Sequence, residues 1–231
     1  MRDEVVIPIN DKESMVITTD NSGAIGMKDQ DVVQVAYETV GYFSFRVAMM
    51  ECLAARATPV AVVIQNFCGE SEWNLLVSGV RNGLTELGME NVTITGSTES
   101  NFPLVQSVVG INVIGLRSNE DGNPGVTHQK IALVGLPLGG DEVIVQSESV
   151  APLSVFYQLS KLKGVIVWPV GSKGVWHELQ RMKPELRGEF SSSEIDLYKS
   201  GGPSTSFLVA YSPEKEREVK ERSGDFFHPL I

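Results

Sequence analysis

Acidic side chains follow two stretches of the sequence that are typical of β-strands. Asp20 ends an apolar run and leads into the small residues 21–26, and Glu99 follows a second run. Asp29 and Asp31 lie just downstream of the first acid. One or two carboxylates, together with substrate phosphates, commonly hold Mg²⁺, so the pattern predicts magnesium with a nucleoside triphosphate. Ordinary turn chemistry is the alternative, because Asp, Asn, Ser and Gly favour turns for local backbone reasons.

The overall charge narrows the kinds of ligand. The 231 residues carry 19 Lys and Arg against 29 Asp and Glu, a net charge of −10, which argues against a nucleic-acid surface. Any phosphate ligand is therefore expected to arrive with metal.

Cys52 and Cys68 have no metal-ligand spacing and are interpreted as reduced core thiols of a cytoplasmic protein. No apolar run reaches the length of a signal peptide core or a membrane span, so we expect no membrane association.

Hydrophobic periodicity predicts the elements that would position the acids. Apolar steps of three and four residues from residue 38 predict a helix that stops before Thr58-Pro59. Glu51 interrupts this apolar face, where a carboxylate is costly unless it is paired, coordinated or turned to solvent. A second helix is predicted over 72–87, ending at Gly88. The predicted strands of this half are 5–9, 14–19, 32–36, 60–65, 92–95 and 108–116.

A polar, turn-rich stretch over 117–127 is the best candidate domain boundary. It divides the chain into a first domain, 1–118, and a second, 127–231. The second half alternates strand and helix patterns, and its last helix alternates acids and bases, which is typical of a solvated face. Its predicted strands are 130–136, 143–146, 165–168 and 207–211, and its predicted helices are 152–162, 175–182 and 213–222.

Two small-residue loops of the second half are candidate ligand loops. The first contains Gly171, Ser172 and Lys173 between a strand and a helix, where exposed backbone N–H groups and a positive helix end favour an anion. An ordinary tight connection is the alternative. The second loop covers 200–205. Trp168, Trp176 and Phe207 lie nearby in sequence, and as pocket walls they would favour a neutral acceptor; as core residues they would not.

Common nucleotide motifs are absent from the sequence. It contains no G-x-x-x-x-G-K-[ST], no G-x-G-x-x-G between a strand and a helix, and no protein-kinase motif set. His128, His177 and His228 are scattered without metal-ligand spacing. A nucleotide would therefore bind through acid-held metal in a less common architecture.

Several motifs in the right order resemble the superfamily of aminoimidazole ribonucleotide synthetase, thiamine monophosphate kinase, selenophosphate synthetase and the hydrogenase maturation ATPase. The resemblance covers nearly the whole chain. By its distance from the motif Ala57-Thr58-Pro59-Val60, Glu51 occupies a position where the family has an Asp. The residues that carry the resemblance are Thr18-Thr19-Asp20, Gly96-Ser97-Thr98-Glu99, Ala57-Thr58-Pro59-Val60, Gly139-Gly140-Asp141 and Ser200-Gly201-Gly202-Pro203.

The resemblance implies an α/β (α+β) fold of two domains with mixed sheets and helices packed on one face. It also implies that the first domain dimerises through its sheet and binds ATP with Mg²⁺. The implied metal ligands are Asp20 and Glu99, with Asp29, Asp31 and Glu51 as further candidates. The implied nucleotide residues are Asn21, Ser22, Gly23, Gly96, Ser97, Thr98 and Asn101. The implied acceptor residues, in the domain that completes the site, are Gly171, Ser172, Lys173, Gly201, Gly202 and Ser204.

The amino-acid sequence of residues 20–26 and 96–101 most resembles that of the alpha-ribazole kinase branch. Members of this branch phosphorylate a benzimidazole ribonucleoside with ATP. The resemblance thus implies a phosphotransferase of cobalamin lower-ligand salvage. The alternatives are a thiamine monophosphate kinase-like or synthetase-like enzyme, and a non-catalytic nucleotide-binding protein. Three departures from the family pattern bear on the substrate: Met50 replaces an Asn, Glu51 is longer by one methylene, and Pro203-Ser204 replace acids.

Overall fold

The structure, a computed structural model, describes residues 4–120, 130–186 and 195–230. The chain divides into two units, Arg2–Asp121 and Gly122–Ile231. Residues 121–127 of the predicted boundary segment, like His128, lie outside the described residues.

The first unit contains a five-stranded mixed sheet in the order β1-β2-β7-β5-β6, in which β5 and β6 are the only neighbouring strands that pair in parallel. Two further short strands, β3 and β4, pair in parallel beside it. The elements are β1 Val5–Pro8, β2 Glu13–Gly23, β3 Ile25–Gly26, β4 Val33–Gln34, α1 Tyr37–Ala54, β5 Thr58–Asn66, α2 Trp73–Leu87, β6 Thr93–Thr98 and β7 Val108–Ser118.

One face of this sheet is covered by α1, and α2 packs on α1. Alternate strand residues such as Val16, Ile64 and Ile111 point toward the helices and are fully buried, as the two-residue period of a strand requires. The helices approach closely because Gly79 has no side chain, and a Cβ there would overlap the carbonyl oxygen of Glu38. The predicted helices are confirmed, including the stop of α2 at Gly88, whose φ of 66° suits glycine.

The opposite face of the sheet, called here the open face, carries no helix of the first unit. Near one end of the strands it presents the half-buried apolar side chains of Met15, Ile17, Ile114 and Leu116. Beside Ile17 lies Val5 of β1, which is 55% exposed. The open face is therefore an apolar surface that the rest of this unit leaves uncovered.

The second unit contains a four-stranded antiparallel sheet in the order β11-β8-β10-β9. Leu208 and Ala210 of β10 pack with Trp176 and Leu179 of α5 in one buried cluster. The elements are β8 Lys130–Val134, α3 Glu142–Val145, α4 Leu153–Ser160, β9 Ile166–Pro169, α5 Gly174–Met182, β10 Phe207–Tyr211, α6 Glu216–Ser223 and β11 Phe227–Pro229. The solvated face predicted for the last helix is confirmed, since α6 carries three ion pairs at i,i+4 spacing.

The predicted strand at 143–146 is wrong, because the chain forms the single-turn helix α3 there. Its β-branched residues favour a strand, but local bonds decide the conformation. The Val143 and Ile144 amides donate to Gly140 and Asp141 at 3.3 and 3.1 Å. The Glu142 carboxylate accepts from the amide of Gly139 at 3.2 Å, which closes the turn. The predicted strand at 32–36 is likewise reduced to β4, Val33–Gln34.

Candidate functional site

Asp20 lies inside β2, so the prediction that it ends a strand is wrong. The strand continues through Gly23, because β7 pairs with it up to the contact Gly23↔Val108. Thr18, two residues earlier, faces α1 and donates its hydroxyl to the Ala48 carbonyl at 2.6 Å. Since side chains alternate along a strand, Asp20 lies on this same side.

The Asp20 carboxylate is half-buried, and no Lys or Arg of the described residues forms an ion pair with it. Burial raises its pKa from 3.8 to about 7, against a smaller lowering by a hydrogen bond from the Asn21 backbone. A carboxylate desolvated without a cation is costly when ionised. A bound cation would remove that cost.

Glu99 follows β6 directly, and its amide donates to the Asn66 carbonyl at 2.8 Å. Its Oε1 accepts from the amides of Asn101 and Phe102 at 2.7 and 3.3 Å. The carboxylate therefore shapes the start of the following loop. The Asn66 side chain, 1% exposed, donates to Thr98 at 3.1 Å and so fixes the end of β6.

Asp20 lies level with Gly96 in the sheet, and Glu99 follows three residues later on a separate strand. The register places Asp20 opposite Ile111, Ile111 opposite Ile64, and Ile64 opposite Gly96. Three strand spacings of about 4.8 Å put the two strands about 14 Å apart. One ion bound to Glu99 is thus too far away to be bound by Asp20 as well.

The direction of α1 sets the position of Glu51. The Thr18 hydroxyl bonds to the Ala48 carbonyl, and one turn later Cys52 lies against Gly115, where a Cβ would be 2.7 Å from its Sγ. Gly115 pairs with Val16, which precedes Thr18. The helix therefore runs antiparallel to β2.

It follows that Asp20 lies toward the start of α1 and Glu51 toward its end. Relative to the Thr18–Ala48 contact, Asp20 is two strand residues away in one direction and Glu51 three helix residues away in the other. These offsets add to about 11 Å along the two axes. Glu51, partly exposed, makes other interactions.

Asp31 is 8% exposed, and both of its oxygens already accept hydrogen bonds. Oδ1 accepts from the Ser107 amide at 2.7 Å, and Oδ2 accepts from the Ser107 hydroxyl at 2.6 Å and from the Lys28 amide at 2.9 Å. Burial alone would raise its pKa, but these bonds and the Lys28 charge lower it below 3.8. Asp31 is held by protein donors, and Asp29 is exposed.

The five predicted metal ligands therefore do not form a single cluster. Residues 4–120, 130–186 and 195–230 contain no group of three or more His, Cys, Asp or Glu that could hold a metal ion. Asp20 and Glu99 remain as single carboxylates beside small and polar residues. Cys52 and Cys68 are buried and free, and burial raises the pKa of Cys52 to about 12, so neither suits metal binding.

The predicted nucleotide residues lie mostly in strands rather than in loops. Asn21, Ser22 and Gly23 belong to β2, and Gly96, Ser97 and Thr98 to β6, while Asn101 lies in the loop beyond. Gly96 is required by close strand contact, because a Cβ there would overlap the carbonyl oxygen of Ile64.

Sequence reasoning missed a polar part of the open face. The register places Thr19 opposite Asn112, Asn112 opposite Val63, and Val63 opposite Thr95. In the neighbouring row, Gln65 lies between Gly110 and Ser97. Polar residues at alternate positions of β6 and of the second half of β2 were the available signal.

In the second unit three loops meet at one sheet edge, because β8 and β9 end where β10 begins. The Gly201 amide donates to the Gly171 carbonyl at 3.0 Å. Gly202 has a φ of 48°, and a Cβ there would overlap the carbonyl oxygen of Leu138. The predicted acceptor residues Gly171, Ser172, Lys173, Gly201 and Gly202 are therefore adjacent.

The side chains at this edge differ in access. Ser172 and Lys173 are exposed, and Lys173 immediately precedes α5. Ser204 is 1% exposed with a φ of 53°, so its hydroxyl lies in the interior. Lys199 pairs with Glu142 at 2.8 Å. Ser172 and Lys173 are thus the accessible members of the predicted acceptor set.

The interpretation of the aromatic residues as pocket walls is wrong. Trp168 and Trp176 are 9% and 8% exposed and belong to the buried cluster under α5. Phe207 is fully buried and packs edge-on against Phe156, with ring centroids 4.9 Å apart. The Trp168 indole N–H donates to Glu178 at 2.8 Å, which satisfies its polar atom inside the core.

Solved structures provide the comparison with known proteins. T. maritima PurL complexed with AMPPCP superposes with a TM-score of 0.62 at 14% identity, over 97% of this chain and 42% of that one. The HypE–HypF complex gives 0.59 at 14% identity, over 97% and 85%. E. coli HypE, a hydrogenase maturation protein, gives 0.59 at 11% identity, over 93% and 78%. The chain has the aminoimidazole ribonucleotide synthetase-like fold.

The likeness to this synthetase-like fold is structural. No protein-family model matches the sequence, and no curated protein does either. The chain spans about two fifths of the PurL chain, 42%. Among the described residues no helix has both the length and the apolarity needed to cross a membrane.

Proposed function

We propose that this protein is an ATP- and magnesium-dependent phosphotransferase acting on a small molecule in the cytoplasm. The observation that carries the proposal is Asp20, a half-buried carboxylate without a cationic partner among the described residues. The fold of the chain is shared with T. maritima PurL, which was solved in complex with AMPPCP. A nucleotide that brings Mg²⁺ would supply the missing charge.

Asp20 and Glu99 would each hold Mg²⁺ together with phosphate oxygens. Their separation suits ions bound by one carboxylate each, since Mg²⁺ retains waters and phosphate ligands rather than requiring a full protein cage. The bound ion would neutralise charge that develops on the transferred phosphoryl group. Asp29, Asp31 and Glu51 have weaker claims, because of exposure, bonded oxygens and distance respectively.

The strand ends would position the nucleotide. Ser22 of β2 and Gly96 and Thr98 of β6 lie on the same side of the sheet as Asp20, and Asn21, Gly23 and Ser97 would contribute through their backbone from the strands between. The loop containing Asn101 is held by Glu99. Phosphoryl transfer depends mainly on positioning and charge neutralisation, which these groups would supply together with bound Mg²⁺.

We propose alpha-ribazole as the acceptor, because the sequences of residues 20–26 and 96–101 resemble those of the alpha-ribazole kinase branch. The accessible loop side chains of the second unit, Ser172 and Lys173, and the backbone of Gly171, Gly201 and Gly202 would contact it. One observation favours a second candidate, an acceptor that already carries phosphate, as in thiamine monophosphate kinase. Lys173 is exposed at the start of α5, where an anion is favoured.

The open face of the first unit would pair two copies into a homodimer. Ile17 and Ile114 are opposed on neighbouring strands and are half-buried, and Val5 and Ile7 of β1 are 55% and 45% exposed. A stable interface buries about 1,000 Å² or more in total. The apolar side chains of Met15, Ile17, Ile114 and Leu116 would form the centre of such an interface.

The test is a competition assay. Alpha-ribazole, adenosine and thiamine monophosphate are offered together with ATP and Mg²⁺, and the phosphorylated product is identified by mass. A new phosphate on alpha-ribazole supports the first acceptor, and one on thiamine monophosphate supports the second. ATP that binds without being consumed indicates a non-catalytic nucleotide-binding protein and contradicts the phosphotransferase.

A further inference from the structure

The ammonium group of Lys28 is held by backbone carbonyl oxygens alone. Its Nζ donates to the carbonyls of Phe67, Leu104 and Gln106 at 3.2, 2.9 and 3.4 Å. A lysine ammonium has three N–H donors, so all of them are used. No carboxylate of the described residues lies within ion-pair distance of it. This cradle of carbonyl oxygens has the chemistry of a monovalent cation site.

The three carbonyls come from parts of the chain far apart in sequence. Phe67 directly follows β5, and Leu104 and Gln106 lie between β6 and β7. Lys28 itself lies between β3 and β4, 39 to 78 residues away from its acceptors. One cation therefore joins three loops at the end of the sheet that carries Glu99.

The segment 99–107 between β6 and β7 is called here the Glu99 loop. Burial contributes little to its order. Phe102 and Val105 are 75% and 66% exposed. What holds the loop is polar: Gln106 donates to the Gln30 carbonyl at 2.7 Å, in addition to the bonds from Lys28. Removal of the cation would leave the three carbonyl oxygens without the ammonium donors that hold them together.

The base of the same loop is tied to the segment that carries Lys28. Ser107 bonds to the Asp31 carboxylate through its amide and its hydroxyl. Tyr37 contacts the Ser107 hydroxyl at 2.8 Å. Because this second attachment does not use the Lys28 side chain, loss of the ammonium should loosen the loop without unfolding the unit.

We propose that the Lys28 ammonium is a built-in monovalent cation that positions the Glu99 loop, and that K⁺ or NH₄⁺ can replace it once the side chain is removed. The residue is a positioning residue, since it acts through the loop rather than on a substrate. Its cation chemistry does not depend on the proposed function. Only the link to nucleotide affinity rests on that function.

The test uses the full chain with Lys28→Ala, measured in KCl, NH₄Cl, LiCl and choline chloride at one ionic strength. We expect K⁺ and NH₄⁺ at roughly ten times their dissociation constant to raise the melting temperature of the variant by about 3 °C. Li⁺ and choline should not, because one is too small for oxygens set for an ammonium and the other too large. Wild type and Lys12→Ala, which removes an exposed lysine of the same unit, should show no such selectivity.

Three further readouts decide the matter. Hydrogen exchange of peptides covering 99–107 should speed up in Lys28→Ala and slow again in K⁺. If Lys28→Ala does not fold in cells, it is refolded from urea in each salt, and a yield that does not depend on K⁺ overturns the proposal. An equal response to KCl and choline chloride, or none, overturns it too. ATP affinity that follows K⁺ supports the link to the site; K⁺-dependent stability without ATP binding refutes the proposed function alone.

Discussion

Thr18 donates its hydroxyl to the main-chain carbonyl of Ala48 at 2.6 Å, and this bond decides which side of β2 carries Asp20. It anchors the strand to α1 in a buried position and fixes the register between them. Asp20 is thereby brought to the helix-covered side, where its carboxylate loses solvent. The position that raises the cost of its charge is the same position that makes it a candidate for binding a cation.

Asp20→Asn should abolish most of the activity while the protein stays folded. The substitution keeps size but removes the charge that Mg²⁺ requires, so we expect turnover to fall by about two orders of magnitude or more. Turnover and circular dichroism are measured on the same sample, with Asp11→Asn, an exposed acid outside the candidate metal ligands, as the matched control. Near-normal turnover of folded Asp20→Asn would refute the metal role.

The stability of the free protein should depend on pH through Asp20. Its pKa rises from 3.8 to about 7 on folding, so between these values the folded state binds more protons than the unfolded state. Stability should therefore be highest below about pH 4 for this group and fall as pH rises toward 7, by up to about 4 kcal/mol. The contribution is read as the difference between wild type and Asp20→Asn in urea titrations, and an unchanged difference across this range would contradict it.

Glu99→Gln should separate loop shape from metal binding. The glutamine Oε1 can still accept from the Asn101 and Phe102 amides, so the loop should survive while the charge is lost. We expect ATP affinity to weaken in Mg²⁺ with little change in the melting temperature. Calorimetric titration with and without Mg²⁺ measures it, and Glu90→Gln, an exposed acid of the same unit, is the control.

Glu51→Gln should leave the magnesium dependence of activity unchanged. Its place on α1 is about 11 Å from Asp20 along the two axes. Since Glu51 has other interactions, a modest loss of thermal stability is the expected effect. A rise in the Mg²⁺ concentration needed for half-maximal activity would show instead that this acid belongs to the metal site.

Ile114→Lys should dissociate the proposed homodimer. Ile114 lies opposite Ile17 on the open face, and a buried lysine there would carry an unpaired charge across the interface. Light scattering at micromolar concentration should change from dimer to monomer. Val32→Lys is the control, because Val32 is 78% exposed and lies outside the five-stranded sheet. A wild-type monomer with full activity would rule the dimer out.

The helices were predictable because their signals are local. The apolar steps of α1 and the glycine after α2 can be read without knowing what they pack against. The ends of the strands were less predictable, because pairing with β7 extends β2 three residues beyond Asp20. The sequence Val143-Ile144-Val145 wrongly predicted a strand, because hydrogen bonds within the adjoining turns form the helix α3 there instead.

The candidate site was predictable in residue type but not in arrangement. Asp20 and Glu99 follow recognisable motifs, yet the register that separates their strands depends on pairing across the whole sheet. The distance of Glu51 depends on the direction of α1. Lys28 gave no signal, because its three acceptors are main-chain oxygens that any sequence would provide.

β2 is eleven residues long, but β1 pairs only with Ser14, Met15, Val16 and Ile17. Among the residues that the structure describes, no strand covers the outer edge of its second half, which carries Asp20. Amide protons along this one strand should therefore exchange at two rates, slowly throughout the first half and quickly at every second residue of the other. The acid thus belongs to a stretch that can adjust by small movements while the core beneath it stays closed.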